Sequence, residues 1–172
     1  LKMIYIETPA NPTNQLVDIE ACRKVADKNA TEEKPVFLTV DNTYMGPLWQ
    51  HPLSHGANIV VYSATKYIGG HSDVIAGAVL GNREVITRVK TLRTFLGNMA
   101  GPWTGWLLMR SLETLKVRMT EQAINAKKVA EYLNNHSKVS KVHYLGFLDE
   151  KTDPVNYSIY KRQLSSAGAM IS

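Results

Sequence analysis

The segment Ser63-Ala64-Thr65-Lys66 sets two hydroxyls and one amine within four residues. It follows the apolar run Ile59-Val60-Val61-Tyr62 and precedes Gly69-Gly70-His71. Hydroxyls and backbone N–H groups just past a strand can hold a phosphate, and glycines let the backbone bend closely around a ligand. A lysine desolvated in such a place has a lowered pKa and can act as nucleophile or base. A loop lysine is ordinarily a solvated surface residue, so its position at a strand end is what singles out Lys66. Asp41 is the second candidate. It follows Val36-Phe37-Leu38-Thr39-Val40, a run expected to be buried. A carboxylate there needs a partner or a water-filled cleft. Its bland role is an Asx turn at the strand end; its chemical role is counter-ion to a buried cation.

The same residues admit a rival chemistry. Ser63-x-x-Lys66 matches the S-x-x-K pattern of penicillin-binding proteins and serine β-lactamases. That pattern also needs S-D-N and K-T-G, and neither is present; Lys90-Thr91-Leu92 lacks the glycine. Its serine also opens a helix, whereas Ser63 follows a strand. His51 and His55 have the i, i+4 spacing of a metal pair. Pro52 between them and the want of an accompanying acid favour loop histidines, so no metal site is expected. Cys22 reads as a packed small side chain. Trp103 and Trp106, at helical spacing, read as core or subunit packing.

Elements that position these residues follow from periodicity. Lys2 to Ile6 is a short apolar, β-branched run and predicts a buried strand, ended by Pro9 and Asn11-Pro12. Asp18 caps an expected helix from Ile19 to Lys28, with Ala21, Val25 and Ala26 on one face. Further strands are expected at Val36–Val40, Ile59–Tyr62, Val74–Leu80 and Val139–Tyr144. Helical patterns cover Arg83–Leu96 and a long stretch near 102–133, with apolar stripes at Leu112, Leu115, Met119 and at Ala126, Val129, Ala130, Leu133. Strands alternating with helices predict an α/β fold with a sheet covered on both faces. Ligands of such sheets sit outside the carboxyl ends of the strands. The residues to watch are therefore Asn11, Asp41, Ser63, Thr65 and Lys66.

Composition narrows the classes. The 172 residues are 44% hydrophobic and 20% charged, which is globular. No apolar run approaches the ~20 residues of a membrane span, and no signal peptide opens the sequence. One cysteine excludes an internal disulfide framework and makes a reducing, cytoplasmic setting the default. The formal charge of +5 is spread over single Lys and Arg residues, a pattern of solvated helix faces rather than of nucleic-acid binding. Leu1 lies directly inside an apolar run, and Gly168-Ala169-Met170-Ile171-Ser172 reads as the beginning of a strand. A piece of a longer polypeptide is expected.

Four ordered segments together resemble the Cys/Met-metabolism family of pyridoxal-phosphate (PLP) enzymes, which includes methionine γ-lyase, cystathionine γ- and β-lyases and cystathionine γ-synthase. They are Glu7-Thr8-Pro9-Ala10-Asn11-Pro12, Val40-Asp41-Asn42-Thr43-Tyr44, Ser63-Ala64-Thr65-Lys66-Tyr67 with Gly70-His71, and Arg110 to Met119 (RSLETLKVRM). The tail fits too, with Ala169 where the family usually has glycine.

The resemblance implies a type I, aspartate-aminotransferase-like fold with a mainly parallel sheet. Residues 1–137 would be the C-terminal part of the PLP-binding large domain, and 138–172 the beginning of the small C-terminal domain. Lys66 would form the internal aldimine with pyridoxal 5'-phosphate. Asp41 would pair with the pyridinium nitrogen, Ser63 and Thr65 would bind the phosphate, Asn11 would lie near the 3-oxygen and Thr43 close to the ring. Glu7 is motif-matched without an assigned role. The implied activity is a carbon–sulfur lyase of sulfur amino acids, by γ-elimination from methionine or cystathionine. Cystathionine γ-synthase-type replacement and β-elimination are the alternatives within the family, and a non-catalytic scaffold the alternative outside it. The family's ring-stacking tyrosine, substrate-carboxylate arginine and neighbouring-subunit residues have no counterpart here, so the isolated 172 residues are expected to be a poor enzyme. A homo-oligomer, a tetramer built as a dimer of dimers, is expected, with a small sulfur amino acid as substrate and neither nucleic acid nor membrane as partner.

Overall fold

A computed structural model describes residues 1–172. Its centre is a four-stranded sheet of β1 (Met3–Glu7), β2 (Phe37–Asp41), β3 (Ile59–Ser63) and β4 (Gly77–Gly81), side by side in that order. β1, β2 and β3 are parallel, so Glu7, Asp41 and Ser63 all end at one edge. β4 runs antiparallel to β3, pairing Ser63 with Gly77. The fold is thus α/β with a mostly parallel, mixed sheet.

Side chains of a strand alternate between faces. The register sets Ile4 beside Leu38 and Ile6 beside Val40, and this face packs on α1 (Ile19–Lys28) through Ile19 and Cys22. Asp18 caps α1 by accepting the Ala21 N–H at 3.1 Å. The core-facing stripe of α1 is Ile19, the half-buried Cys22 and Ala26, whereas Val25 is exposed. The expected face through Ala21 and Val25 was therefore rotated away from the core; spacing 19, 22, 26 satisfies the helical repeat better.

After β2 come the short α2 (Gly46–Trp49) and a 3-10 turn at Pro52–His55. α3 (Arg83–Leu96) is capped by Asn82, which accepts from Val85 N at 2.9 Å, and stops at Gly97 with φ 72°. The helical stretch expected near 102–133 is two helices, α4 (Pro102–Leu112) and α5 (Leu115–Asn134). The break has a local cause. Ser111 O accepts from Thr114 N and Oγ1 at 3.3 Å and from Arg118 Nη2 at 2.8 Å. Those donors replace the i+4 N–H that would continue the helix. Leu112 is consequently exposed, while Leu115 and Met119 are buried. They join Leu16, Met45, Trp49, Leu145, Ile159 and Leu164 in the larger core cluster.

No strand forms over 139–144. His143 exchanges both backbone hydrogen bonds with Ser172 (2.6 and 3.2 Å), a single strand-like pair without neighbours to extend it. Residues 154–163 form α6 (Pro154–Gln163), capped by Asp153, a helix the periodicity did not announce. Gln163 ties α6 to the start of α1, accepting from Ile19 N at 2.8 Å and donating to Val17 O at 3.1 Å. Trp103 and Trp106 stack on one another, centroids 4.9 Å apart, and both are exposed. They are not core residues of this chain: they lie in the first turns of α4 and are exposed. No helix is long and apolar enough to cross a membrane.

Candidate active site

Asp41 is the last residue of β2 and is half-buried. The next residue, Asn42, is fully buried and locks the chain direction from the other side. Its amide donates to Gly46 O and Gln50 O at 2.9 Å and to the Tyr62 hydroxyl at 3.0 Å, and its oxygen accepts from Gln50 Nε2 at 2.8 Å. With Asn42 turned inward, alternation turns Asp41 to the opposite face. There its Oδ1 accepts from Thr43 N at 3.0 Å, an Asx turn, and from Thr43 Oγ1 at 2.6 Å. Thr43 Oγ1 accepts in turn from Ser63 N at 2.8 Å, joining the ends of β2 and β3. Asp41 Oδ2 accepts from the Tyr5 hydroxyl at 3.3 Å.

Glu7 lies beside Asp41 in the register of β1 and β2. Burial, reinforced by the Asp41 charge, pushes the Glu7 carboxyl above its usual range, while the Asn11 backbone N–H pulls it partly back. Burial and the same carboxylates also raise the phenols of Tyr5 and Tyr44. The ion pairs of the chain include neither Glu7 nor Asp41. Two adjacent carboxylates at a strand edge, without a basic partner, make a locally negative site suited to a cation.

Thr65 and Lys66 follow β3. The neck of their loop is sewn by Thr65: its N–H donates to Ala76 O at 3.1 Å and its hydroxyl exchanges with Ala76, accepting from N at 3.0 Å and donating to O at 3.3 Å. Ala76 O is already served by the backbone bond, so the Thr65 hydroxyl proton can turn to another acceptor without leaving a carbonyl unpaired. Ser63 Oγ has no hydrogen bond within the chain. Lys66 begins a single helical turn in which Gly69 N donates to Ala64 O and Gly70 N to Lys66 O, both at 2.7 Å. Lys66 is exposed and unpaired, at the wall of a cleft of about 580 Å³ lined also by Tyr44, Thr65, Tyr67, Gln122 and Met170. Burial pushes the Tyr67 phenol up to about 12, helped by Tyr44. Gln122 Oε1 is buried with no partner.

The structure therefore brings Asp41, Thr43 and Ser63 into one hydrogen-bonded group and hangs Thr65 and Lys66 from the next turn of chain. Asn11 is different: it is exposed, past the end of β1, and its side chain makes no hydrogen bond. Tyr5, Tyr44, Tyr67 and Gln122 were not singled out by sequence. The period of two along β1 places Tyr5 and Glu7 on one face and was a usable signal; Gln122, reached through packing of α5, left none. His51 and His55 do not meet over a metal. His55 Nδ1 lies 2.9 Å from Glu20 Oε1 and His51 Nε2 3.1 Å from Pro47 O. No cluster of metal-holding side chains occurs. Cys22 is half-buried, and burial raises its thiol.

The arrangement fits pyridoxal phosphate. A carboxylate lacking a cation matches a protonated ring nitrogen, an unpaired amine matches an aldehyde, and free hydroxyl donors past a strand match a phosphate.

An L-methionine gamma-lyase of Fusobacterium nucleatum subsp. polymorphum is 42% identical over 99% of this chain and 42% of its own length. A cystathionine beta-lyase of Lactococcus lactis subsp. cremoris is 41% identical over 99% of the chain and 43% of its length. The crystal structure of cystathionine gamma synthase from Xanthomonas oryzae pv. oryzae in complex with aminoacrylate and cysteine superposes with a TM-score of 0.89 at 35% identity, covering 99% of this chain and 42% of that one. The chain thus spans less than half the length of the relatives it matches. Residues 1–172 match throughout the family described as "Cys/Met metabolism PLP-dependent enzyme", and the chain belongs to that family of pyridoxal-phosphate-dependent enzymes.

Proposed function

We propose that the protein carrying this chain is a carbon–sulfur lyase of sulfur amino acids, acting by γ-elimination on methionine or cystathionine. The observation that carries the reading is the Asp41–Thr43–Ser63 group, a carboxylate held by three donors and lacking a cation, three residues of chain from an unpaired amine at Lys66. Pyridoxal phosphate, when bound, supplies an electron sink for charge developing at the substrate α carbon.

The roles of the chain's own residues follow. Lys66 Nζ would hold the cofactor, and its amine would move the substrate α proton. Asp41, held in place by Thr43, would pair with the ring nitrogen. Ser63 and Thr65 would hold the phosphate through their hydroxyls, and Asn11 would serve the 3-oxygen side. Residues 1–137 form the cofactor-domain part and 138–172 open a smaller domain, a division supported by the end of α5 at Asn134.

Homologues of the same overall fold named as a β-lyase and a γ-synthase match about as well. They favour β-elimination and γ-replacement as second readings. A cytoplasmic homo-tetramer completes the proposal, along with low turnover by the 172 residues alone, where Lys66 and Asn11 face solvent.

The test is keto-acid release from methionine, cystathionine and homocysteine by the natural polypeptide that carries these residues. Release from methionine or cystathionine is expected. No release from any of them, and no γ-replacement product, would leave a non-catalytic scaffold as the reading.

A further inference from the structure

We propose that Arg118, on α5, is a positioning residue for Lys66, holding from below the turn that presents the amine; this rests on the cofactor reading of Lys66. The turn leaves its last two carbonyls, Tyr67 O and Ile68 O, without backbone donors. Arg118 Nη1 donates to Tyr67 O at 2.8 Å and Nη2 approaches Ile68 O at 3.4 Å. The rest of the guanidinium is fixed to the α4–α5 junction: Nη2 donates to Ser111 O at 2.8 Å and Nε to Thr114 Oγ1 at 3.0 Å. One planar fork thus ties the residue after Lys66 to two helices, which a lysine, with a compact head and no fork, cannot reproduce.

Two further observations support the assignment. Gly70, which closes the turn, has φ +77°, and a Cβ there would overlap Arg118 Nη1. The glycine is required by backbone conformation and by the guanidinium together. Arg118 has no carboxylate partner and is partly desolvated, which lowers its pKa. Its guanidinium is satisfied by backbone carbonyls and the Thr114 hydroxyl, so the tie between α5 and the Lys66 turn needs no counter-ion.

The experiment loads the natural polypeptide with pyridoxal phosphate. It measures the label fixed on Lys66 by borohydride and the pH midpoint of the bound cofactor's absorbance change. Arg118→Met is expected to cut the label about fivefold or more and to shift the midpoint, because the amine is misplaced. Arg118→Lys, which keeps one donor but not the fork, should restore only part of each. Gly70→Ala, with Arg118 intact but displaced, should lower the label as Arg118→Met does. Thr114→Val, which removes the Nε acceptor and the hydroxyl's donation to Ser111 O while the Thr114 N–H still serves that carbonyl, should show a smaller loss. Unchanged label and midpoint in folded Thr114→Val and Arg118→Met, with only Tm lowered, overturn the proposal and leave Arg118 a structural tie. An unsubstituted protein that takes no label on Lys66 overturns the cofactor reading itself.

Discussion

Thr43 donates to one carboxylate oxygen of Asp41 twice, from its backbone N–H at 3.0 Å and from its hydroxyl at 2.6 Å. The same hydroxyl oxygen accepts the N–H of Ser63, so a single side chain sets the spacing between the carboxylate and the strand that leads to Lys66. Thr43→Val keeps the shape and removes both functions of the hydroxyl. A hydrogen bond to a charged group contributes about 2 kcal/mol, and a fall in Tm of about 4–8 °C is expected for a chain of this size. Turnover should drop roughly tenfold. A thermal melt and steady-state rates check it; an unchanged Tm would mean that the bond does not restrain Asp41.

Asp41→Asn preserves the acceptor facing Thr43 but removes the charge. Cofactor labelling on Lys66 should persist, while kcat falls by on the order of a hundredfold, about 3 kcal/mol of barrier. Wild-type kcat in this variant would remove the charge-pairing role.

Lys66→Ala should abolish turnover and the borohydride-fixed pyridoxyl peptide together, read by mass mapping of the digest. A label found on another lysine would reassign the attachment point.

Glu7 holds its proton more tightly folded than unfolded, because burial and the Asp41 charge disfavour its anion. The folded state is therefore favoured by protonation of Glu7, an advantage complete below the ordinary value of 4.5 and lost as pH rises through the raised folded value. Glu7→Gln should raise Tm at pH 7 by about 2 °C and leave it unchanged near pH 4. An equal gain at both pH values would point to a cause other than charge.

Asn42 is the buried anchor behind the site. Asn42→Ala strands Gly46 O, Gln50 O and the Tyr62 hydroxyl. A cost of about 3 kcal/mol is expected, seen as a lowered urea midpoint with an unchanged slope. A cost under ~1 kcal/mol would show that water replaces the amide.

Apolar runs and caps made much of the fold legible. β1, β2 and β3 were readable because each is short, apolar and followed by polar or turn residues, and α1 and α3 carry side-chain caps at Asp18 and Asn82. The antiparallel sense of β4 was not readable, since pairing direction depends on where the loop from Thr65 to Ala76 returns. The α4–α5 break was hidden for a similar reason: it comes from Arg118 reaching back to Ser111 O, a side-chain contact that no helical period encodes. α6 escaped notice because its buried residues, Ile159 and Gln163, are too few to make a stripe. Candidate residues were legible wherever polar groups end an apolar strand, as at Asp41, Ser63 and Lys66. Arg118 acts at a distance in sequence and was not, and Tyr5 was legible only as a strand residue on the face of Glu7.

The Thr65–Ala76 clasp has a bearing on how such a chain can change. Its bonds close a ten-residue excursion at the base, and Arg118 pins only the first part of it, Tyr67 and Ile68. Val74 is buried against the Gly69 end of the turn, which leaves His71, Ser72 and Asp73 as the exposed tip of the excursion. Substitutions or length changes there can reshape the mouth of the cleft while strand pairing and the amine's foothold stay as they are, a natural place for evolution to graft a new preference onto an unchanged chassis.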